Sequence, residues 1–274
     1  MPQTHCKAVL TFAVMQYTLK KSLGQHFLKD ENICKKIVDA VQINLNQHQV
    51  NQLIEVGPGG GAITKYLLQI PSINFKAVEL DAEKITFLEA TYPAIQSKII
   101  HQSFLDIDAP FENQFMVVGN FPYNISSQIL FKILEWHQQV PIIIGMFQKE
   151  VAQRVAAKPN SKTYGILSVL IQAYYQVDYL FDVAPGCFNP PPKVMSGVIQ
   201  LTLKENRYKV SSDKAFAQLV KLAFNQRRKM LRNAVKSVFS EDILKDELFN
   251  KRAEQLSIED FAALTFRMNG STQK

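Results

Sequence analysis

Two short segments of this 274-residue chain carry residue types whose spacing suits a ligand site. The first is Leu53-Ile54-Glu55-Val56-Gly57-Pro58-Gly59-Gly60-Gly61-Ala62, an apolar run that ends in glycines ahead of a predicted helix starting near Ile63. Glycines let a backbone approach a ligand closely, and Gly57, Gly59 and Ala62 satisfy the pattern G-x-G-x-x-A of dinucleotide sites. Glu79 ends the next apolar run, where a ribose-binding acid belongs. A carboxylate there can accept from both ribose hydroxyls, each charge-assisted bond contributing roughly 1.5 to 3 kcal/mol. Asp81 reads as the N-cap of the following helix. Glu55 reads either as a holder of the amino group of an amino-acid cofactor, such as the methionine half of S-adenosylmethionine, or as a strand-end carboxylate bound to backbone amides. On these residues alone a nicotinamide dehydrogenase, another nucleotide-cofactor enzyme and a bare strand-to-helix turn all remain open.

The second segment, Val117-Val118-Gly119-Asn120-Phe121-Pro122-Tyr123-Asn124, places Asn, Pro and Tyr directly after an apolar run. An exocyclic adenine amine is a poor nucleophile, because its lone pair is delocalised into the ring, and it carries two N–H donors. The side-chain oxygen of Asn120 and a backbone carbonyl can accept both, which favours a more tetrahedral nitrogen aimed at an electrophilic methyl carbon. Catalysis of that kind rests on orientation and electrostatics rather than on a strong base. Pro122 stiffens the loop and leaves its carbonyl free, and Tyr123 offers a flat face on which a base can stack for about 1 to 3 kcal/mol. The plain alternative is a strand-to-helix turn in which Asn124 caps a helix from Ile125.

Both segments need elements to hold them. Apolar runs at Gln52–Val56, Phe75–Leu80, Lys98–His101, Phe115–Gly119 and Pro141–Phe147 alternate with segments of helical period. That rhythm predicts a parallel sheet with helices on both faces and ligands at the carboxyl ends of the strands. The alternating segment Met195–Leu203 is predicted to add a last strand, and Lys204–Lys209 reads as a linker. From Ser212 the period is helical, with Phe224, Leu231, Val235 and Val238 on one face, and Ser257 with Asp260 resembles a capping box. The expected organisation is a disordered N-terminal extension over residues 1–19, a catalytic domain over 20–203 and a small all-helical domain over 204–274.

Charge separates these parts. Of a formal net charge of +7, residues 1–203 carry +1 and residues 204–274 carry +6. Such a basic unit suits a polyanion, though a solvated basic surface explains the charge equally well. Cys6, Cys34 and Cys187 lack paired metal or redox spacing, so no metal is expected and a reduced cytoplasmic setting fits. No apolar run approaches the ~18 residues of a membrane span, so membrane insertion is not expected.

Taken together, the motifs resemble the ribosomal RNA adenine dimethyltransferases over Lys20 to about Met268. The matching stretches are Lys21–Leu28, the glycine loop, Asn120–Tyr123, Gln148–Val151, Ser161–Gly165, Phe188–Val194 and Phe224–Lys229. The resemblance implies a Rossmann-like S-adenosylmethionine-dependent methyltransferase sheet with a small helical C-terminal domain. It implies a catalytic set of Asn120, Pro122, Tyr123 and Phe188, with Phe188 sandwiching a flipped adenine against Tyr123. It places Gln25, His26, Leu28, Glu55, Gly57, Gly59, Glu79, Ser103 and Asn120 at the cofactor. Two departures stand out: His26 replaces an Asn common in relatives, and Ser103 replaces the usual Asp that accepts from the cofactor's adenine amine. Asp106 is a second candidate for that acceptor. On the same logic Arg227, Arg228, Lys229, Arg232 and Lys236 are RNA contacts, Arg228, Arg232 and Lys236 sharing one helical face. Lys149, Arg154, Lys158 and Lys162 extend that track or form an exposed helix face.

The partner implied is small-subunit ribosomal RNA in an assembling 30S particle, met by a monomer. A macrolide-resistance-type methylase of large-subunit RNA would share the catalytic motifs, but Ser161–Gly165 and Phe224–Lys229 are closer to the small-subunit type. A non-catalytic assembly factor on the same fold would be expected to lose Asn120 or Tyr123, and both are present.

Overall fold

The alternation of apolar runs folds as parallel-sheet sterics require. The computed structural model describes residues 26–269. Gln25 and the extension expected over residues 1–19 lie outside the described residues. In chain order the strands are β1 Phe27–Leu28, β2 Gln52–Val56, β3 Asn74–Glu79, β4 Ile99–His101, β5 Met116–Asn120, β6 Ile142–Gln148, β7 Tyr175–Val183, β8 Phe188–Asn189 and β9 Ser196–Leu203. The helices are α1 Glu31–His48, α2 Thr64–Leu67, α3 Ala82–Thr91, α4 Ser126–Glu135, α5 Lys149–Val155, α6 Ile166–Tyr174, α7 Asp213–Asn225, α8 Leu231–Val235 and α9 Ile258–Thr265.

Seven strands form one sheet in the order β4-β3-β2-β5-β6-β9-β7, and β1 pairs with β8 in a separate two-stranded ribbon. β4, β3, β2, β5 and β6 are mutually parallel, whereas β9 runs antiparallel to both β6 and β7. After β2 the chain steps outward to β3 and β4, then returns to place β5 on the other side of β2. The carboxyl ends of β2 and β5 therefore flank the point where strand order reverses, which is where an open α/β sheet leaves a ligand crevice. The glycine loop leaves one of these strands, and Asn120 ends the other.

Successive residues of each inner strand point to opposite faces. Met116 and Val118 join one apolar cluster with Leu53 and the α1 residues Ile37 and Val41, while Val117 joins the other. The second cluster runs without interruption through Ile129 and Leu170 into the C-terminal helices, where it takes in Phe216, Phe224, Leu231, Val235 and Phe261. The basic C-terminal part thus shares a core with the sheet. Its helices start where side chains satisfy the first N–H groups: Ser212 accepts from Ala215 at 3.1 Å, and Ser257 and Asp260 form the reciprocal capping box expected of them.

Two expectations change. Tyr175–Val183 is a nine-residue strand that follows α6 directly. No Gly or Pro separates the two, so nothing in the local sequence marks the change of period. The single basic helical face is also not formed. α7 ends at Asn225, and Met230 makes an antiparallel bridge with Arg252 before the five-residue α8 begins. The Leu231 N–H donates to Lys251 O at 2.8 Å, which fixes this turn against the following segment. Arg228 consequently sits in a turn, Arg232 in α8 and Lys236 at its end, so spacing by four does not align them.

Candidate active site

A cavity of about 280 Å³ opens at the switch point, walled by the glycine loop, Glu79, Ser103, the Asn120 loop and the β1 segment. Gly57 has φ +68° and Gly59 φ +56°, a left-handed backbone that side chains disfavour. A Cβ on Gly59 would stand 2.6 Å from a ring carbon of Phe27, so the aromatic lies directly on the loop. Leu28, next to it, is buried and faces the cavity.

Two carboxylates end this region. Glu79 accepts from the Leu80 N–H at 2.9 Å and the Asp81 N–H at 3.0 Å through one oxygen, and from the Gly59 N–H at 3.2 Å through the other. A carboxylate offers about four lone-pair sites. One site remains for a ligand, so acceptance from both ribose hydroxyls would require the longest bond, from Gly59, to be released. Burial raises the Glu79 pKa against the opposing pull of these amides. Asp81 caps α3 as expected, accepting from the Glu83 N–H. Glu55 is buried, and the Thr64 hydroxyl donates to its Oε2 at 2.7 Å, a side-chain partner rather than backbone amides. Burial pushes its carboxyl up to about 8.

The Asn120 side chain has a defined orientation. Its Nδ2 donates to the His26 carbonyl at 3.0 Å, which leaves Oδ1 as the available acceptor of a side chain that lines the cavity. The Pro122 carbonyl, expected to be free, accepts from the Ile125 N–H at 3.2 Å, because the loop tightens into a turn ahead of α4. Among the described residues no hydrogen bond falls on the Phe121 carbonyl, which leaves it an open backbone acceptor next to Asn120. Ile125, not Asn124, occupies the N-cap of α4 and makes no side-chain cap bond. The Tyr123 hydroxyl pairs with Ser196 Oγ, and burial raises its pKa. Nothing in the sequence pointed to Ser196, which lies far along the chain on β9.

A family model described as ribosomal RNA adenine dimethylase matches residues 16–269. The chain belongs to that family. The ribosomal RNA small subunit methyltransferase A of Flavobacterium johnsoniae is 50% identical over 250 residues, covering 90% of this chain and 94% of that one. Its counterpart in Bacteroides thetaiotaomicron is 48% identical over 251 residues, covering 90% and 92%. Among solved structures, a dimethyladenosine transferase from Plasmodium falciparum shares the fold with TM-score 0.71 and 24% identity, covering 86% of this chain and 94% of that one. The 23S rRNA methyltransferase ErmE shares it with TM-score 0.65 and 20% identity, covering 89% and 99%. The dimethylase family uses S-adenosylmethionine, so the dehydrogenase reading of the glycine loop is set aside.

Within this dimethylase, the aromatic opposite Tyr123 is His26. The two rings stack with centroids 5.4 Å apart and planes inclined by 29°. The His26 Nδ1 lies 2.9 Å from the Pro190 carbonyl, which holds the imidazole there. Phe188 is 1% exposed, off the cavity wall, and belongs to the core beside Leu28, its partner in the β1–β8 ribbon. The family resemblance implies a sandwich of the base between Phe188 and Tyr123, whereas the ring is buried where β8 pairs with β1. Ser103 lines the cavity, its Oγ accepting from the Leu105 N–H at 3.3 Å. Asp106 is exposed and off the cavity wall.

The basic positions divide by partner. Lys149 pairs with Asp182 at 2.6 Å and Arg154 pairs with Glu150, so their charges are locally offset. Arg227 pairs with Glu254 at 2.9 Å. The half-buried Arg232 has its Nε buried with no hydrogen-bond partner. Arg228, Lys229 and Lys236 are exposed, as are Lys158 and Lys162, and none of the five has an ion pair among the described residues. No described helix is long and apolar enough to cross a membrane.

Proposed function

We propose that this protein dimethylates the exocyclic amines of two adjacent adenines in a hairpin near the 3′ end of small-subunit (16S) ribosomal RNA, on an assembling 30S particle. The observation that carries the reading is the Asn120 amide. Its N–H side is committed to the His26 carbonyl, which leaves the oxygen of this cavity-lining side chain as an acceptor for one amine proton. The open Phe121 carbonyl is the acceptor for the other. With both protons held, the lone pair of the target nitrogen is directed rather than spread into the ring. Tyr123 supports the base by stacking, with Pro122 fixing the turn that presents it.

S-adenosylmethionine supplies a methyl group on a positively charged sulfur that departs as a neutral thioether. The residues present suit that cofactor. The glycine turn at Gly57 and Gly59 admits its methionine end, and Glu55, as a carboxylate, meets its ammonium group. Glu79 takes a ribose hydroxyl, Ser103 accepts from the adenine amine, and His26 with Leu28 closes over the site, with Gln25 expected to join them. The near 50% identity to relatives named as small-subunit methyltransferases supports the choice of RNA.

The deciding experiment supplies methyl-labelled S-adenosylmethionine and under-methylated small subunits, then maps the label. Dimethyl label on two neighbouring adenines near the 3′ end is the expected result. Label confined to large-subunit RNA, or no label, would overturn the assignment.

A further inference from the structure

Arg227 stands in a run of three cations, Arg227-Arg228-Lys229, that sequence alone treats as equivalent. Their surroundings differ. Arg227 donates from Nε to Glu254 Oε2 at 2.9 Å and from a terminal nitrogen to the Lys162 carbonyl at 2.5 Å. The Asn160 N–H donates to the Glu254 carbonyl at 2.8 Å. Two of these bonds therefore join the loop at residues 158–165, which belongs to the sheet-bearing part, to the turn before α8 and the Ala253–Gln255 turn of the C-terminal part, and the Arg227–Glu254 bond ties those two turns to each other. Beneath them the seam is aromatic. Tyr164 from the same loop is fully buried, its ring meeting Phe224 edge-on at 6.0 Å, and Phe224 in turn packs on Phe261 at 5.9 Å.

We propose that Arg227 is a positioning residue rather than a phosphate contact, a clip that merges basic residues of both parts into one RNA-binding face. The proposal rests on the functional reading above and refines it. Glu254 offsets the Arg227 charge, and its carboxylate repels any phosphate that approaches the guanidinium. Arg228 and Lys229, one and two residues further on, are exposed and have no ion pair among the described residues. Lys162, whose carbonyl the clip holds, and Lys158 are exposed in the same way. Two cations from the sheet-bearing part and two from the helical part are thereby held across one seam, an arrangement suited to successive phosphates of a folded RNA. A guanidinium is required for the clip because its fork reaches two acceptors at once, which an ammonium on a flexible stem does not do.

Removing the partner acid separates the two roles by sign. If Arg227 is a clip, Glu254→Gln weakens binding to small-subunit RNA roughly tenfold although it removes a negative charge. Arg227→Gln loses the same amount, and the double variant loses no more than either single one. If Arg227 instead contacts phosphate, Glu254→Gln binds tighter, and Arg227→Gln lowers the slope of log affinity against log salt by roughly 0.7 to 0.9. Arg227→Lys is a second discriminator with the charge kept: a clip predicts the full loss, a phosphate contact predicts near wild-type affinity. Unchanged S-adenosylmethionine affinity in each variant shows that the fold is intact. Hydrogen exchange at the Asn160 amide reads the clip without RNA. Faster exchange in Arg227→Lys supports it, and unchanged protection overturns it even if the RNA assignment stands. Absence of methyl transfer by the wild-type protein would overturn the RNA assignment instead.

Discussion

At the carboxyl edge of the sheet, the groups that meet in the cavity leave adjacent parallel strands as short contiguous loops. Glu55 lies near the end of β2 and Gly57 follows it, Glu79 ends β3 and Asn120 ends β5. At the C-terminal seam, two distant stretches are tied by the Arg227 guanidinium, the Glu254 carboxylate and the Asn160 amide above a buried aromatic seam. The first arrangement is fixed by sheet register, which brings Val118 opposite Glu55 and Val78 opposite Val56, so a motif read in sequence is already placed in space. The second depends on single side-chain bonds that no local pattern announces. Chemistry placed by register should be lost when one reacting group is removed. Binding placed by side-chain bonds should decline in steps.

The largest effect expected is on turnover. Asn120→Ala should reduce methyl transfer by more than about a hundredfold, the scale seen when one preorganised polar partner of a reacting group is removed. Cofactor affinity should fall only a few-fold, through release of the His26 carbonyl that Asn120 holds. Equal loss of turnover and cofactor affinity, measured by single-turnover methylation and calorimetry, would show that the side chain serves the cofactor alone.

Glu79→Ala comes next. It removes the ribose acceptor and leaves the amides of Gly59, Leu80 and Asp81 without their partner. S-adenosylmethionine and its demethylated product share the ribose, so both should bind roughly ten- to a hundredfold more weakly. If the affinity of either stays unchanged, Glu79 only braces the glycine loop.

On the other side of the comparison, Arg228, Lys229 and Lys236 replaced together by Gln should lower the salt slope of RNA binding by about 2, with cofactor affinity unmoved. An unchanged slope in a folded variant would mean that these exposed cations are merely solvated. The register-placed site and the bond-placed face would then differ in function as well as in construction.

This contrast also explains what was legible in the sequence. The positions of β2, β3, β4, β5, β6 and β9 could be read to within a residue, because apolar runs of the main sheet leave little freedom, and the capping box at Ser257 carries its own geometry. Tyr175–Val183 was hidden because α6 passes into β7 with no breaking residue. The basic face was misread because spacing by four presumes an unbroken helix, while the Met230 bridge to Arg252 ends it. At the site, residue types at strand ends indicated the acceptors but not their remaining capacity. Only the hydrogen-bond partners show that Pro122 O is taken, that Phe121 O is open, and that His26 rather than Phe188 faces Tyr123.

The smallest predicted effect concerns Ser103, the one cavity position where the chain departs from the acid that its family resemblance implies. Its hydroxyl already accepts from the Leu105 N–H, so an aspartate in its place could keep that turn bond and offer a second oxygen to the cavity. Charge-assisted bonds are roughly twice as strong as neutral ones, and the site also holds Glu79, whose charge opposes a further carboxylate. The net expectation for Ser103→Asp is a tightening of S-adenosylmethionine binding by less than about tenfold. A new carboxyl with an ordinary pKa near 3.9 is ionised throughout pH 6 to 9, so that gain should be constant across this range in calorimetric titrations. Asp106→Asn should change nothing, because that side chain is exposed and off the cavity wall. Weaker binding in Ser103→Asp would mean that repulsion from Glu79 outweighs the new acceptor. Weaker binding in Asp106→Asn would return to Asp106 the role that its place in the fold denies it.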